Sequence, residues 1–207
     1  MRLLVIAGSL RAHSFNSALA RAAADLAPAG WAVDLYEGLA LLPPYDQDLD
    51  ETDTAPPAAV YDLRERIESA DAILVVTPEY NGSLPGVLKN AIDWTSARHR
   101  GSSLQNRTVA VAGATTGQYG AIWAQQDLRR ILGIAGARVL PGELPVSRAQ
   151  SVFDESGRLR DPLVAERLRA HVSALLREAD AVPAAACPRR ERKRGRVSGP
   201  SILGYQR

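Results

Sequence analysis

Cysteine and long apolar runs are scarce in this sequence, and their scarcity excludes several classes of protein. Cys187 is the only cysteine among 207 residues, so an intramolecular disulfide is impossible and the chain fits a reducing compartment. No apolar run approaches the roughly 18–20 residues of a membrane-spanning helix. The run from Leu3 to Ala7 is also shorter than the ~7–15 residues of a signal-peptide core. We therefore expect a cytoplasmic protein with no membrane partner.

Several ligand-binding motifs are missing as well. Neither G-x-x-x-x-G-K-[ST] nor G-x-G-x-x-G occurs, which disfavours a nucleoside triphosphate site and a Rossmann dinucleotide site. The three histidines, His13, His99 and His171, are widely separated and have no carboxylate partner at metal-ligand spacing. We therefore predict no metal site.

Basic charge is concentrated at the C-terminal end. From Arg189 onward there are seven Lys/Arg and one acidic residue, whereas residues 1–188 hold 18 Lys/Arg and 22 Asp/Glu. The sequence pI of about 8.9 reflects these last residues and is no argument for a nucleic-acid partner. We predict one domain over residues 1–182, followed by a basic tail over 183–207 that has no apolar period.

Apolar, β-rich runs alternate with helical patterns five times. The predicted strands are 2–7, 31–36, 72–77, 108–112 and 137–140, and the predicted helices are about 15–27, 57–69, 85–96, 119–132 and 161–179. Nearly continuous apolar strands are typical of a parallel sheet covered by helices on both faces, so we predict an α/β fold. Residues 37–56 are predicted to form a long, Pro- and Asp-rich connection.

The loop after the first predicted strand is rich in hydroxyl groups and leads into a helix. Open α/β sheets bind ligands at the carboxyl ends of their strands, and a helix N-terminus at that position favours a phosphate. The candidate phosphate-binding residues are Ser9, Arg11, Ser14, Asn16 and Ser17. This set suits a monophosphate. The alternative is an ordinary strand-to-helix turn in which Ser14 is the N-cap.

Residues 77–94 (TPEYNGSLPGVLKNAIDW) resemble the signature of the NADPH-dependent FMN reductase family, a flavodoxin-like group that includes quinone, azo-dye and chromate reductases. Residues 8–16 (GSLRAHSFN) match the phosphate loop of that family, and residues 113–120 (GATTGQYG) lie where its third flavin loop is expected. The resemblance covers residues 1–140. It implies a flavodoxin-like three-layer sandwich with a five-stranded parallel sheet in the order 2-1-3-4-5. It also implies bound FMN, NADPH or NADH as electron donor, and a homodimer or homotetramer.

The resemblance further places residues of the second and third loops at the isoalloxazine ring. They are Pro78, Glu79, Tyr80, Asn81, Gly82, Ser83, Thr115, Thr116, Gly117 and Tyr119. The residue types agree, because a tight turn with Gly82 at positive φ offers backbone N–H donors and Tyr80 offers a face for packing. Glu79 has the alternative role of accepting a hydrogen bond from a backbone N–H. Trp94 is expected in the core or in a dimer contact.

These observations predict an NAD(P)H-dependent FMN oxidoreductase that reduces free flavin, a quinone or a similar small acceptor. Hydride transfer through flavin N5 needs orientation and N–H donors from the protein, so no catalytic side chain is predicted. If the pyridine nucleotide and the acceptor bind in turn at the same position beside the flavin ring, ping-pong kinetics are expected. One alternative is a flavodoxin-type electron carrier without pyridine-nucleotide activity. Another is a module that binds nucleic acid or a membrane surface through the basic tail.

Overall fold

The computed structural model describes residues 1–51, 55–96 and 101–181. The strands are β1 (Arg2–Ala7), β2 (Ala32–Tyr36), β3 (Ala72–Val76), β4 (Thr108–Ala114), β5 (Arg138–Val139) and β6 (Leu144–Val146). The helices are α1 (Phe15–Asp25), α2 (Gln47–Glu51), α3 (Ala58–Ser69), α4 (Gly86–Thr95), α5 (Ile122–Ile134), α6 (Ala149–Val152) and α7 (Pro162–Asp180), with a 3₁₀ turn at Gly38–Leu41. Among the described helices, none has the length and apolar character to cross a membrane. His99, Cys187 and the tail predicted over 183–207 lie outside the described residues.

The strands form one parallel sheet in the order β2-β1-β3-β4-β5, which confirms the predicted order. β6 also pairs with β4, so two short strands occupy the fifth position. β5 lies within the strand predicted at 137–140, whereas β6, beyond a break in the chain, was not predicted. The chain breaks there because Pro141 has no backbone N–H and Gly142 adopts a φ of +87°.

Helices cover both faces of the sheet and make two separate apolar cores. α1 and α7 pack over one face, where Leu3 and Leu74 point. α3, α4 and α5 pack over the other face, where Leu4 and Ile73 point. Because every residue of β3 and β4 is buried, these strands need the continuous apolar character seen in the sequence. The predicted three-layer sandwich is confirmed.

The helices begin where the sequence supplies caps or prolines. Ser14 caps α1, and Asp161 caps α7 by accepting hydrogen bonds from two backbone N–H groups of its first turn. α5 begins three residues later than predicted. The reason is that Gly120 and Ala121 adopt left-handed backbone conformations, with φ of +60° and +61°, and so cannot belong to the helix.

Within the long connection after β2, residues 37–51 are anchored to neighbouring helices. The carbonyl of Pro43 accepts hydrogen bonds from the Nδ2 of Asn90 and from the Nε1 of Trp94, at 2.9 and 2.8 Å. The carboxylate of Asp50 forms a buried ion pair with Arg64 at 2.7 Å. Trp94 is fully buried, so its expected place in the core is confirmed. This part of the connection therefore packs against α4 and α3.

Candidate functional site

Three loops meet at one edge of the sheet, because β1, β3 and β4 are neighbours and run parallel. We name them the first loop (residues 8–14), the second loop (77–85) and the third loop (115–121). Every predicted site residue lies in these loops or in the first turn of α1. The carboxyl edge of an open α/β sheet is the usual place for a ligand, so the topology brings the predicted residues together.

Gly8 holds the beginning of the first loop close to β3. Its N–H donates to the carbonyl of Val76 at 2.8 Å. A Cβ at this position would lie only 2.7 Å from the same carbonyl oxygen, so a larger residue would push the two strands apart. Glycine is therefore required at position 8 by the contact between the first loop and the end of β3.

The N-terminus of α1 offers free hydrogen-bond donors. The Oγ of Ser14 accepts a hydrogen bond from the N–H of Asn16 at 3.1 Å, so the alternative N-cap role of Ser14 is confirmed. Within the described ranges, the N–H groups of Phe15 and Ser17 have no hydrogen-bond partner. Arg11 is exposed in the same loop. Free N–H groups at a helix start, together with a guanidinium, suit an anion.

Ser9 and Ser17 complete the predicted phosphate-binding set. The Oγ of Ser9 accepts a hydrogen bond from the N–H of Arg11 at 3.3 Å, which fixes the turn that carries the guanidinium. Ser17 is buried in the first turn of α1, next to the free N–H groups. Both hydroxyl groups remain predicted contacts for a phosphate.

Asn16 is oriented differently from the prediction. Its Nδ2 donates to the carbonyl of Ala114 at 2.9 Å, and its Oδ1 accepts from the N–H of Ala114 at 2.8 Å. The side chain is buried. The amide expected to face a phosphate is thus directed at the last residue of β4, and it ties α1 to the start of the third loop. Spacing in the sequence could not reveal this contact, because the partner atoms belong to the backbone.

Residues 80–83 form a tight hairpin turn in the second loop. The N–H of Tyr80 donates to the carbonyl of Ser83 at 2.9 Å, and the reverse bond measures 3.1 Å. Asn81 and Gly82 have φ of +53° and +75°, as in a type I′ turn. The predicted positive φ of Gly82 is confirmed. The N–H groups of Asn81 and Gly82 have no partner in the described part of the chain, so they are the free donors of this turn.

Two side chains fasten the second loop to α5. Glu79 accepts a hydrogen bond from the N–H of Ala124 at 3.1 Å, which confirms the alternative role of this carboxylate. The Oγ of Ser83 donates to the carboxylate of Asp127 at 2.8 Å. The hairpin turn is consequently held at both ends, and Pro78 before it is buried. Asp127 was not predicted, since nothing in its helical pattern distinguishes it from a solvent-exposed charge.

The third loop is fixed at its start and exposed at its tip. Thr115 donates its N–H to Val146 and accepts a hydrogen bond from the N–H of Ala149, both at 3.0 Å. Its Oγ1 accepts from the N–H of Gly117 at 3.3 Å. Thr116 and Gly117 are exposed, and the carbonyl of Gly117 accepts a hydrogen bond from the N–H of Arg148 at 3.0 Å.

Gln125 fixes the far end of the third loop. Its Nε2 donates to the carbonyl of Gly120 and its Oε1 accepts from the N–H of Leu144, both at 2.9 Å. The side chain is fully buried. Sequence reasoning missed this residue, although a polar side chain in the apolar period of Leu128 and Leu132 was a usable signal.

Aromatic side chains border the site. Tyr119 and Trp123 lie with their ring centroids 4.9 Å apart and are 53% and 47% exposed. Tyr80 is exposed at the hairpin turn. Within residues 1–51, 55–96 and 101–181, no group of three or more His, Cys, Asp or Glu is placed to hold a metal ion. The accessible chemistry of this edge therefore includes N–H donors, hydroxyl groups, the Arg11 guanidinium and aromatic faces.

Comparison with known proteins agrees with this geometry. Residues 1–151 match the family described as NADPH-dependent FMN reductase. An NAD(P)H-dependent FMN reductase of Pseudomonas aeruginosa is 39% identical over 176 residues, which cover 84% of this chain and 93% of the relative. A quinone reductase of Pseudomonas putida is 39% identical over 158 residues, 76% of this chain and 83% of the relative. The solved structure of a flavoenzyme NAD(P)H:(acceptor) oxidoreductase of Paracoccus denitrificans has a TM-score of 0.77 and 32% identity, covering 86% of this chain and 97% of that one.

Proposed function

The chain belongs to the NADPH-dependent FMN reductase family, and we propose that it transfers electrons from NAD(P)H through FMN to a quinone, free flavin or a similar small acceptor in ping-pong order. It is an oxidoreductase, and the acceptor and the kinetic order are the parts we propose. The observation that carries the proposal is the convergence of three loops at one edge of the sheet, two of which present free N–H donors. The free donors lie at the start of α1 and at the hairpin turn, and the exposed third loop lies beside them.

The residues at this edge fit FMN. A phosphate would be held by the free N–H groups at the start of α1, by the Arg11 guanidinium and by the hydroxyl groups of Ser9 and Ser17. The polar edge of the isoalloxazine ring would accept hydrogen bonds from the free N–H groups of Asn81 and Gly82. Both donor sets belong to a rigid frame, because Asn16, Glu79 and Ser83 fix the surrounding loops in place.

Bound FMN supplies the hydride chemistry, and the protein supplies orientation and electrostatics. The hairpin turn places N–H dipoles that stabilise negative charge on the ring without adding a full positive charge. Tyr80 and Tyr119 leave aromatic faces exposed beside the site, where a flat substrate can stack. No residue at this edge has to act as a nucleophile, so the catalytic contribution of the chain is positional.

The names of the relatives support a quinone-type acceptor. Besides the Pseudomonas putida quinone reductase, a 2-hydroxy-1,4-benzoquinone reductase of a Burkholderia species is 36% identical over 160 residues. We propose that this chain also accepts a quinone. The homodimer or homotetramer implied by the family resemblance, and a cytoplasmic location, remain proposals as well.

Anaerobic mixing of the FMN-loaded protein with NADPH or NADH tests the donor half-reaction. We expect the flavin absorbance to bleach before any acceptor is added, and a benzoquinone to restore it. Persistent yellow colour with both nucleotides would favour the flavodoxin-type electron carrier. Initial rates measured over a grid of NADPH and benzoquinone concentrations test the kinetic order. Parallel double-reciprocal lines are expected, and intersecting lines would contradict a shared position for the nucleotide and the acceptor.

A further inference from the structure

We propose that Asn16 is a positioning residue that couples the phosphate end of the site to the third loop, and that it does not bind the phosphate. The inference rests on the proposed function, since it concerns how the flavin site is held together. The two hydrogen bonds between the Asn16 amide and the backbone of Ala114 carry it.

Ala114 lies at the end of β4, where the two sides of the strand have different neighbours. On one side, β4 pairs with β6, and the N–H of Thr115 donates to Val146 at 3.0 Å. On the other side, β3 ends earlier, and the last backbone bond from it runs from the N–H of Thr77 to Ala112 at 2.9 Å. The N–H and carbonyl of Ala114 therefore extend beyond the end of β3. The Asn16 amide, with one donor and one acceptor, takes the place of the missing strand residue.

Asn16 lies in the first turn of α1, within the predicted phosphate seat. Asn16 is the second residue of the helix, and its backbone N–H is capped by Ser14. The residues on either side, Phe15 and Ser17, carry the free N–H groups of the predicted phosphate seat. One short side chain thus connects these donors to the residue directly before the third loop. A shift at either end must be transmitted to the other or break two buried hydrogen bonds.

The surroundings of Asn16 favour positioning over direct binding of the phosphate. Only 4% of Asn16 is exposed, and both polar atoms of its side chain already have backbone partners. Arg11, by contrast, is exposed in the first loop. Substitution of a residue that binds the phosphate is expected to weaken FMN but not riboflavin, because riboflavin lacks the phosphate. A positioning residue is expected to affect both flavins, because both place a ring against the third loop.

The experiment titrates the full-length protein, freed of flavin, with FMN and with riboflavin. Asn16→Ala removes both bonds, and Asn16→Leu removes both while keeping a side chain of similar size. We expect each variant to weaken both flavins by about ten-fold, so that the ratio of the two dissociation constants stays that of the wild-type chain. The visible circular dichroism of the bound flavin should also change, because the third loop moves. Arg11→Ala should instead weaken FMN alone.

A matched control separates positioning from loss of stability. Ala20→Gly destabilises the middle of α1 at a fully buried position, away from the third loop. It should lower the melting temperature without changing affinity for either flavin below the transition. Selective loss of FMN in the Asn16 variants would make Asn16 a phosphate ligand and overturn the proposal. Lower melting temperatures with unchanged flavin affinities would overturn it as well. A wild-type chain that binds neither flavin would overturn the proposed function and this inference together.

Discussion

Glu79 and Ala124 are 45 positions apart in the sequence, yet the carboxylate of one accepts a hydrogen bond from the backbone N–H of the other at 3.1 Å. α5 needs this contact because Ala121, the residue before it, has no side chain that could cap the helix. The negative charge also lies at the positive end of the helix dipole. One side chain next to the hairpin turn therefore both stabilises α5 and fixes the second loop.

Replacement of Glu79 separates the contribution of its hydrogen bond from that of its negative charge. Glu79→Ala removes the acceptor and the charge, and we expect the free energy of unfolding to fall by about 1 kcal/mol. Glu79→Gln keeps an acceptor and removes only the charge, so its loss should be smaller. Urea unfolding of the three proteins measures this. Equal stabilities of the alanine variant and the wild type would mean that the contact contributes nothing.

Gly82 and Gly86 form a matched pair for testing the hairpin turn. A Cβ at either position would meet nothing within 4 Å, but only Gly82 has a positive φ, of +75°. Gly82→Ala should therefore cost about 1 kcal/mol of folding free energy and weaken FMN binding, since the turn must distort. Gly86→Ala, at the first residue of α4, should be neutral or slightly stabilising. Similar effects of both substitutions would refute a role for backbone strain.

Arg11 provides the electrostatic test of the phosphate seat. We expect Arg11→Ala to weaken FMN binding by roughly 10- to 100-fold at low salt, as for a lost charge-assisted hydrogen bond. The affinity of Arg11→Lys for FMN should lie between those of the wild type and Arg11→Ala. The difference between wild type and Arg11→Ala should shrink as ionic strength rises, because Arg11 is exposed. Isothermal titration at two salt concentrations checks this. An affinity for FMN that is unaffected by the alanine substitution would place the phosphate elsewhere.

The burial of the His171 imidazole makes the stability of the fold depend on pH. Burial, with a further contribution from Arg167, lowers the pKa of its imidazole, and the Nε2 lies 2.9 Å from the carbonyl of Val111. The unfolded chain takes up a proton as the pH falls through about 6.5, whereas the folded chain resists it. The contribution of His171 is thus complete above that pH and is lost as the pH falls further, at up to about 1.4 kcal/mol per pH unit.

Thermal unfolding between pH 5 and 8 measures this dependence. His171→Gln keeps a donor for Val111 but does not titrate in this range, so its melting temperature should fall less on acidification than that of the wild type. His13→Gln, at an exposed position, is the matched control and should follow the wild type. Identical pH profiles for all three proteins would show that His171 is not responsible.

The parts of the site that could be predicted are those with short-range signals. An Asn-Gly pair specifies a type I′ turn through two positive φ angles, so the hairpin at Asn81 and Gly82 follows from adjacent residues. The positions of the loops directly after apolar strands in the sequence also locate the carboxyl edge of the sheet. The break after β5 was also visible in principle, because Pro141 and Gly142 directly follow the predicted fifth strand.

The contacts that hold the loops together could not be predicted in the same way. Asn16 binds the backbone of Ala114, which nothing in the sequence indicated, whereas a backbone contact of Glu79 was expected as an alternative but without its partner, Ala124. A backbone partner leaves no trace in residue identity, because every residue but proline offers an N–H and a carbonyl. Sequence reasoning therefore found the polar side chains of the site but could not distinguish those that face a ligand from those that fix a loop.

Titration of the flavin-free protein with FMN tests the central claim most directly, namely that the three loops form one flavin site. We expect flavin fluorescence to be quenched to an end point of one FMN per chain, with a dissociation constant of about micromolar or tighter. An end point that is never reached, with a protein that stays colourless after gel filtration, would contradict the account.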